Sequence, residues 1–413
     1  MTDDRPAPSR ATRPQIPVDP ALGAMPQMLD VETISPVLER SLGGGQSLDS
    51  LAIRYLRYKQ GRSLLVRYEA SVDGRAFGVF ALTEPDAGLA RQAAKPANLE
   101  LASRATDRTP ARRPLSYEDE LGILVQWTPV DLKLPTMAEP PERLRELLEQ
   151  AGVSTRTRGE LPELVHFKPN RRAVLRYGEH FVKIYADDRA YERAVAGMLT
   201  ASALPMRSAR CEAAIPGLRL TAQSFVEGGP PDGPIEAAPT AGRFLAMLHG
   251  TPNDTLRVTP PSHRLESATA AARLLISIDA RLGQQLEALL KRLAETMPDE
   301  PLVLSHGDFH ARQMLVSEDD YGVIDFDASC LAPAALDMAT YISSLVRGLD
   351  GLPAGMAALD LLVDAYGSRP PGVSWYLACV LLRRASIPFR VFREDWPEQV
   401  EERVLCAQAA LEW

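Results

Sequence analysis

Two carboxylates and a side-chain amide stand in two short segments of the C-terminal half of the chain. Asp308 lies in the segment SHGDFHARQ, which ends with Gln313, and Asp325 lies in the segment VIDFD, twelve residues after Gln313. Phosphoryl transfer needs this set of groups. One carboxylate orients and deprotonates a hydroxyl, while an amide oxygen and a second carboxylate hold Mg²⁺ on the nucleotide phosphates. The alternative is that Asp308 and Asp325 only cap turns.

Apolar runs beside these segments predict the strands that would position them. Residues 302–304 (LVL), 314–316 (MLV) and 321–324 (YGVI) are short and largely β-branched or apolar, which favours buried strands. The sequence therefore predicts a strand–loop–strand–turn–strand arrangement that holds the two carboxylates and the amide around one small volume.

The two segments carry the motifs of a known family. HGDFH followed by IDFD resembles the aminoglycoside phosphotransferase and choline kinase-like superfamily, whose motif runs His-Gly-Asp-(Leu/Phe)-His-x-x-Asn and then Ile-Asp-(Phe/Trp)-(Asp/Glu). The resemblance implies that Asp308 is the catalytic base, that Gln313 stands at the metal-binding Asn of the family, and that Asp325 is the second metal ligand. Gln313 departs from the pattern, because its extra methylene displaces the amide oxygen.

The same resemblance implies the fold, the cosubstrate and several supporting residues. It implies an α+β, bilobal protein kinase-like fold with a small β-rich nucleotide lobe and a larger, mainly helical lobe, and it implies ATP and Mg²⁺. Asp337, in the segment LDMA, stands where the family has Asp-Leu-Ala and would brace the catalytic loop through hydrogen bonds. His310 and Arg312 would contact the substrate or support the loop, and Asp327 is a further candidate for such support.

The composition of the 413-residue chain is typical of a globular protein with two or three domains. The net charge of −8 argues against a nucleic-acid or anionic-membrane partner, and the four cysteines lack the spacing of a zinc site or a disulfide framework. Residues 1–30 are rich in Pro, Ala, Asp and Arg, so we expect a mobile tail there. The segment lacks the apolar run of a signal peptide, and we expect a cytoplasmic protein without a membrane span.

A nucleotide-binding small lobe is predicted over residues 138–228. Apolar runs between 165 and 185 predict three strands, and a helix is expected to begin near Arg189. Lys183 lies between apolar neighbours in the third strand, and a buried lysine needs a negative partner. Nucleotide phosphates and Glu192 would provide one, as in the strand-lysine and helix-glutamate pair of protein kinases. The alternative is an exposed lysine on an edge strand.

The small lobe has no glycine-rich phosphate loop, so we expect phosphate contacts from the turn at residues 169–172. The lobe ends in a strand and a linker that is dense in glycine and proline. In the resembling family this region is the hinge where main-chain groups meet adenine, which makes Ser224, Phe225 and Val226 the candidates. A catalytic and substrate-binding helical lobe is predicted over residues 229–413.

An internal repeat predicts an additional N-terminal domain. YKQGRSLLVRY (58–68) aligns with FKPNRRAVLRY (167–177), with four identities in eleven positions. The region 31–137 therefore looks like a degenerate copy of the nucleotide lobe, a cap that has Val79 or a neighbour at the place of Lys183 and has lost phosphate binding. The alternative is chance similarity between two amphipathic β-hairpins. In outline the layout resembles the capped maltokinase-like and glucosamine kinase-like members of the superfamily.

The stretch 370–393 combines arginine and aromatic residues that could line an acceptor cleft. It contains no acidic residue. This disfavours a polycationic aminoglycoside and favours a neutral or anionic hydroxyl compound. Aromatic faces can stack on sugar rings, whereas the alternative is that the aromatic residues form core and the arginines a solvated face. The candidates, with one aromatic residue just beyond the stretch, are Arg383, Arg384, Arg390, Arg393, Trp375, Tyr376, Phe389, Phe392 and Trp396.

The sequence thus predicts an ATP- and Mg-dependent phosphotransferase that moves the γ-phosphoryl group to a hydroxyl of a small molecule, with a sugar or amino sugar as the expected acceptor. Two alternatives stay open. An antibiotic kinase of the aminoglycoside type predicts acidic side chains in the acceptor cleft. A catalytically impaired, nucleotide-binding pseudokinase is favoured by Gln313 and by the missing glycine-rich loop. The choice between ATP and GTP and the oligomeric state are open.

Overall fold

The N-terminal cap is a five-stranded antiparallel sheet with short helices on both sides. The computed structural model describes residues 16–86, 88–154, 162–317 and 320–413. The cap strands, which lie in the spatial order β1-β2-β3-β5-β4, are β1 (Ser50–Lys59), β2 (Ser63–Val72), β3 (Arg75–Thr83), β4 (Leu115–Glu118) and β5 (Ile123–Trp127). The helices of this region are α1 (Met25–Leu29), α2 (Val31–Glu39), α3 (Gly88–Ala93), α4 (Pro96–Ser103) and α5 (Pro141–Gln150).

Both faces of the cap sheet are buried, because successive side chains of a strand point to opposite faces. On β2, Leu64, Val66 and Tyr68 belong to a core that includes apolar side chains of α1 and α2. Leu65, between them, belongs to a second core that the cap shares with the next sheet. The cap is therefore held from two sides.

The expected mobile tail over residues 1–30 is wrong for the part from residue 16 onward, and residues 1–15 lie outside the described residues. Met25, Met28 and Leu29 are buried on one face of α1. Asp19 is also buried and accepts hydrogen bonds from the Tyr58 hydroxyl (2.9 Å) and from the Gly61 main-chain N–H (2.7 Å). The segment is rich in proline, yet it contains a short helix whose apolar side chains pack into the core of the cap.

The small lobe repeats the sheet of the cap. Its strands lie in the order β10-β11-β8-β7-β6, which is the cap order with each strand replaced by its counterpart. The shared order agrees with the predicted duplication. The elements of this lobe are β6 (Glu163–Lys168), β7 (Arg172–Tyr177), β8 (His180–Tyr185), α6 (Asp188–Ser202), β9 (Arg207–Ser208), β10 (Cys211–Ile215) and β11 (Leu220–Ser224), of which β9 pairs elsewhere.

The strand register corrects the predicted counterpart of Lys183 in the cap. Lys183 pairs with Val174 across the β7–β8 hairpin, and Leu82 pairs with Leu65 at the matching position of the β2–β3 hairpin. The counterpart is therefore Leu82 and not Val79. The strands of the cap hairpin extend beyond those of the β7–β8 hairpin, so the matching residue lies three positions after Val79. An apolar leucine at this position agrees with the prediction that the cap has lost phosphate binding.

The two sheets face each other across a shared apolar core. The rings of Phe80 in the cap and Phe167 in the small lobe meet edge to face at 5.9 Å. The Arg67 guanidinium lies over the Phe167 ring and donates a hydrogen bond to its carbonyl oxygen (3.0 Å). The cap also contacts the catalytic lobe, where the Tyr58 ring lies 6.4 Å from that of Phe389. It thus bridges the two lobes of the kinase-like unit.

The catalytic lobe is mainly helical and carries two small sheets. The strand β12 pairs with β15, whereas β13 pairs with β14, and β14 pairs in parallel with β9. The predicted single strand–loop–strand–turn–strand arrangement is therefore divided between two sheets. The elements are α7 (Ala238–His249), α8 (Pro261–Ile278), α9 (Gly283–Glu295), β12 (Leu302–Ser305), β13 (Met314–Ser317), β14 (Asp320–Val323), β15 (Cys330–Pro333), α10 (Ala335–Ser343), α11 (Leu352–Tyr366), α12 (Val373–Arg384), α13 (Ile387–Arg390) and α14 (Trp396–Ala410).

The aromatic residues proposed for sugar stacking are core residues. Trp375, Tyr376, Phe389 and Trp396 are all buried, and their rings contact one another in pairs. The interpretation of these four residues as a binding surface is wrong. The α+β, two-lobed kinase-like fold with an N-terminal cap is confirmed. Within the described ranges, no helix has both the length and the apolar character needed to cross a bilayer.

Asp131 fixes the β6–β7 turn to the segment that links the cap to α5. Its carboxylate is fully buried and accepts hydrogen bonds from the main-chain N–H groups of Asn170 (2.7 Å) and Lys133 (2.8 Å). Burial raises the pKa of Asp131 to about 6, although these N–H groups and Arg57 oppose the rise. The proton is therefore held more tightly in the folded state than in the unfolded state.

We expect this residue to make stability depend on pH. A raised folded pKa stabilises the protein below the unfolded pKa, and that contribution is lost as pH rises through the folded pKa, here between about pH 4 and pH 6. Relative to Asp131→Asn, the wild type should lose about 2 kcal/mol of unfolding free energy across this window. Urea unfolding of both proteins at the two ends of the window measures the change, and a constant difference between them would contradict it.

Candidate active site

The loop after β12 presents Asp308 to solvent while the residues around it are buried. Gly307 adopts a left-handed conformation (φ +83°), and a Cβ atom there would collide with the Ala328 carbonyl oxygen, so this position requires glycine. Phe309 is fully buried, with its ring 4.9 Å from that of Phe244. The Asp308 side chain, between these two anchors, is 46% exposed. The loop therefore holds a reachable carboxylate on a fixed backbone.

Asp337 ties this loop to α10. Its two carboxylate oxygens accept hydrogen bonds from the main-chain N–H groups of His306 (2.7 Å) and Gly307 (2.8 Å), and His249 lies 3.4 Å away. Burial would raise the pKa of Asp337, but His249 and these hydrogen bonds outweigh it and lower the pKa. The residue occupies the bracing position that the sequence predicted. The His306 ring also bonds the Ile324 carbonyl oxygen (3.1 Å), which joins the loop to the segment before Asp325.

The second segment brings Asp325 and Asp327 to Lys183. Lys183 Nζ donates hydrogen bonds to Oδ1 of Asp325 and Oδ1 of Asp327, both at 2.7 Å. Asp325 adopts the left-handed conformation (φ +66°), which is uncommon for a residue other than glycine and is often found at functional sites. Arg172 and the Tyr185 hydroxyl bond the other oxygen of Asp327 at 2.9 and 3.0 Å. One lysine and one arginine thus pair with two carboxylates.

Lys183 and Asp325 stay ionised although both are shielded from water, Lys183 fully and Asp325 in part. Burial lowers the pKa of Lys183 in the first place, but Asp327 and Asp325 outweigh it, so the net shift is upward. For Asp325, burial would raise the pKa, and Lys183 and Arg172 instead hold it well below its ordinary value. The alternative of an exposed edge-strand lysine is wrong, because β8 is flanked by β7 and β11 and Lys183 is 4% exposed.

Glu192 is not the partner of Lys183 in this structure. Helix α6 buries Tyr191, Ala194 and Gly197 toward the sheet and the catalytic loops. Glu192 is one residue after Tyr191, about 100° around the helix, and is exposed. A Cβ atom at Gly197 would collide with the Phe326 carbonyl oxygen, so the helix packs directly on the Asp325 segment. The predicted ion pair is therefore replaced by pairs with Asp325 and Asp327.

The predicted metal ligands offer the oxygen atoms that Mg²⁺ prefers. Asp325 engages Lys183 through Oδ1, and its Oδ2 atom lies outside the contacts described above. Gln313 is buried, and its Oε1 atom accepts a hydrogen bond from the main-chain N–H of His310 (3.2 Å), so the amide also caps its own loop. In the described ranges, no group of three or more His, Cys, Asp or Glu residues could hold a metal. Mg²⁺ bound chiefly through phosphates and one or two side chains fits this set.

The hinge residues use part of their main chain internally. The Ser224 N–H donates to the Arg210 carbonyl oxygen (3.0 Å), and the Phe225 N–H donates to the Glu179 carbonyl oxygen (2.9 Å). Val226 is buried. Three residues were predicted to contact adenine. The main-chain N–H groups of two of them, Ser224 and Phe225, therefore already donate to main-chain carbonyl oxygens of the same lobe.

A basic cavity of about 890 Å³ borders the loop that carries Asp308, with His310 and Arg312 in its lining. The Arg383 guanidinium approaches the Asp308 carboxylate to 3.9 Å. His310, Arg312 and Arg384, each named from the sequence, line the cavity. Burial lowers the pKa of His310, although Asp308 opposes the shift. The structure adds basic residues that the sequence did not single out, namely Lys168, Arg347 and Arg403.

Arg172 and Tyr185 are the other functional candidates that sequence reasoning missed. Arg172 falls within the turn predicted to contact phosphates, but its bond to Asp327 was not foreseen. The signal for Tyr185 was its position in β8, two residues after Lys183 and hence on the same face of the strand. Alternation of side chains along β8 would have found it.

Comparison with known proteins agrees with the motifs. A profile described as "Phosphotransferase enzyme family" matches residues 164–373, about half of the chain. A glucosamine kinase from Mycolicibacterium smegmatis is 29% identical over 208 residues, which are 43% of this chain and 48% of that protein. The chain therefore spans about half the length of this curated relative.

Solved structures with related folds cover the region outside the cap. A choline/ethanolamine kinase family protein from Mesorhizobium loti is 13% identical, with a TM-score of 0.45 over 65% of this chain and 95% of that chain. The GDP complex of an aminoglycoside 2'-phosphotransferase is 14% identical, with a TM-score of 0.49 over 65% of this chain and 98% of that chain.

Proposed function

Because the chain belongs to the phosphotransferase enzyme family, we propose that it transfers the γ-phosphoryl group of ATP to a hydroxyl of a small molecule of the sugar class. The observation that carries the proposal is the bond from Lys183 to Asp325, two residues 142 positions apart. The same Asp325 segment is joined through His306 to the loop that presents Asp308. A cation for phosphates, a carboxylate for a metal and a reachable carboxylate for a hydroxyl are therefore held in one assembly.

In the proposed reaction, the acceptor hydroxyl oxygen attacks the γ-phosphorus while Asp308 orients the hydroxyl and accepts its proton. The bond between the γ-phosphorus and the β–γ bridging oxygen breaks, and ADP leaves with the electron pair. Lys183 and Arg172 would hold the phosphates from the small-lobe side. Asp337 acts through the loop backbone and keeps Asp308 in place.

The charges of the cluster support a role for Mg²⁺. Lys183 and Arg172 are balanced by Asp325 and Asp327, so a triphosphate would add negative charge that these residues do not neutralise. Mg²⁺ bound to Asp325 and Gln313 would supply that positive charge. The side chains themselves position the phosphates and the acceptor.

The test of the proposed function is acceptor-dependent ADP formation by the full chain with Mg-ATP. A panel of sugars, amino sugars, sugar phosphates, sugar acids, small alcohols and aminoglycosides covers the acceptor classes. We expect turnover with at least one sugar-class acceptor and none with aminoglycosides, because the described cavity lining has no carboxylate for a polycation. No ADP formation with any acceptor, despite Mg-ATP binding, would contradict the proposal.

Gln313 allows a separate test of the metal site. We expect Gln313→Leu, which removes the amide oxygen, to raise the Mg²⁺ concentration for half-maximal turnover about tenfold, the loss typical of one supporting oxygen. Gln313→Asn is the matched control, because it keeps an amide. An unchanged Mg²⁺ requirement in Gln313→Leu would leave Gln313 with only its observed loop-capping bond.

A nucleotide-binding protein without transfer activity is the second candidate. The observation that favours it is the bond from the His310 N–H to Gln313 Oε1, which directs the amide into its own loop. This candidate predicts Mg-ATP binding that depends on Lys183 and no acceptor-dependent ADP formation under any Mg²⁺ concentration.

A further inference from the structure

We propose that the acceptor already carries an oxyanion group, a phosphate or a carboxylate, which is bound in the basic cavity beside Asp308. Phosphoryl transfer to this acceptor rests on the proposed function, whereas binding of its oxyanion group does not. It narrows the acceptor from the general sugar class to hydroxyl compounds that bear an acid group, and it excludes amino sugars such as glucosamine as the preferred acceptor.

The composition of the cavity wall is the first support. Five lysine and arginine side chains line it, and none of its described lining residues carries a carboxylate. The cations are Lys168, Arg312, Arg347, Arg384 and Arg403. The chain as a whole has 54 acidic and 46 basic residues. A concentration of cations in an acidic protein therefore marks this cavity as a site for a negatively charged ligand.

The partial burial of two of these arginines is the second support. Burial lowers the pKa of Arg384 to about 10, although Asp308 opposes this, and burial also lowers the pKa of Arg403. Arg384 remains protonated at neutral pH. Arg403 also has a buried Nε–H that no described group accepts. Shielding a charge or an unpaired N–H donor from water costs free energy unless a ligand supplies a compensating charge or acceptor.

The geometry of arginine suits this ligand. A guanidinium presents a planar fork of donors that matches the oxygens of a phosphate or carboxylate. Arg384 ends α12, Arg403 lies in α14 and Arg347 follows α10, so three separate elements of the catalytic lobe direct cations to one cavity. An ammonium-bearing acceptor would meet repulsion from all of them.

The arginines of this cavity are distinct from the cations that would serve ATP. Lys183 and Arg172 are on the small lobe and are paired with Asp325 and Asp327. Arg384 and Arg403 are on the catalytic lobe, and for Arg384 Asp308 is the carboxylate that acts on its pKa. The expected transfer therefore places the γ-phosphoryl group on one side of Asp308 and the oxyanion of the acceptor on the other. The hydroxyl proton goes to Asp308 and ADP leaves, as in the reaction above.

The experiment measures binding apart from turnover. Calorimetric titration of the full chain, with Mg²⁺ and a non-hydrolysable ATP analogue present, uses inorganic phosphate, glucose 6-phosphate, gluconate, glucose and glucosamine as ligands. We expect glucose 6-phosphate or gluconate to bind about 10- to 100-fold more tightly than glucose, the range for one to two charge-assisted hydrogen bonds. The comparison of the first two distinguishes a phosphate from a carboxylate site. Glucosamine should bind most weakly.

Substitution of the cavity arginines tests whether the preference for anionic ligands arises in this cavity. Arg384→Gln should remove most of the preference for the anionic ligands and leave the affinity for the ATP analogue unchanged. Arg347→Gln, at an exposed position, should reduce the preference even if Arg384→Gln fails to fold. Arg393→Gln is the matched control, because Arg393 is exposed and pairs with Asp395 outside the cavity lining.

The outcomes separate this inference from the proposed function. Tighter binding of glucose or glucosamine, or no Arg384-dependent binding of any anionic ligand including inorganic phosphate, overturns the inference. An equal loss of ATP-analogue affinity in Arg384→Gln also overturns it, because the cations would then serve the nucleotide. Arg384-dependent anion binding without ADP formation upholds the inference and contradicts the proposed function.

Discussion

Replacing Asp308 by alanine should lower kcat by about 10²- to 10⁴-fold, the range for loss of a positioned general base. The Kd for Mg-ATP should stay within about twofold of the wild-type value, because the contacts proposed for the phosphates come from Lys183, Arg172 and Asp325. Asp308 is the reachable carboxylate of its loop, since its neighbours His306 and Phe309 are buried. Single-turnover ADP formation with the best acceptor measures the rate, and calorimetry measures the nucleotide affinity.

The effect on the fold should be small, which keeps this measurement interpretable. The Asp308 side chain is 46% exposed, and its contact with Arg383 is a long ion pair of 3.9 Å, so little stability depends on it. Asp360→Ala, an exposed aspartate in α11, is the matched control and should leave kcat unchanged. Equal kcat values for Asp308→Ala and the wild type would remove Asp308 from the proposed chemistry.

The sequence predicted the local features of the site better than its long-range contacts. The spacing of Asp308, Gln313 and Asp325 identified the two loops because the motif residues and their strands are close in the chain. The burial of Lys183 also followed from its apolar neighbours. Its partners did not, because Asp325 and Asp327 approach it from another lobe, 142 and 144 residues away. The Glu192 prediction failed because Glu192 lies about 100° around α6 from Tyr191, outside the buried face of the helix.

In the cap, too, the sequence predicted the local pattern of strands but not the contacts between distant parts of the chain. Two similar eleven-residue segments led to the prediction of a duplicated sheet, and the two strand orders agree with it. The prediction could not supply the hairpin length that places Leu82 opposite Lys183. Nor could composition reveal that residues 16–30 are ordered, since Met25 and Met28 gain their burial from β2 and its neighbours. Such contacts exist only once the chain has folded.

The basic cavity was visible in the sequence only in part. The absence of acidic residues around Arg383 and Arg384 disfavoured an aminoglycoside, and the structure agrees with that direction. Lys168, Arg347 and Arg403 come from three distant parts of the chain and could not be grouped without the fold. The aromatic residues in the same stretch misled the interpretation, because aromatic spacing on a helix is the same for a core and for a binding face.

Replacing Asp337 by alanine should lower the free energy of unfolding by about 3–5 kcal/mol, the cost of disrupting a buried charge network. The fully buried carboxylate accepts two main-chain N–H groups, from His306 and Gly307, and lies beside His249. Alanine would leave these donors without an acceptor in a region closed to water. Urea unfolding at neutral pH measures the loss, and Asp364→Ala, at an exposed position in α11, is the control.

The loss of unfolding free energy caused by Asp337→Ala should become smaller as the pH falls into the acid range. The folded pKa of Asp337 is lowered, so its contribution to stability is full above the unfolded pKa and declines as pH falls below about 4. The difference between the wild type and Asp337→Ala should therefore be constant near neutrality and shrink in acid. Asp337→Asn keeps one acceptor oxygen and should recover part of the stability. A difference below about 0.5 kcal/mol at neutral pH, the value of a typical surface change, would mean that the loop is held by Phe309 and Gly307 without this carboxylate.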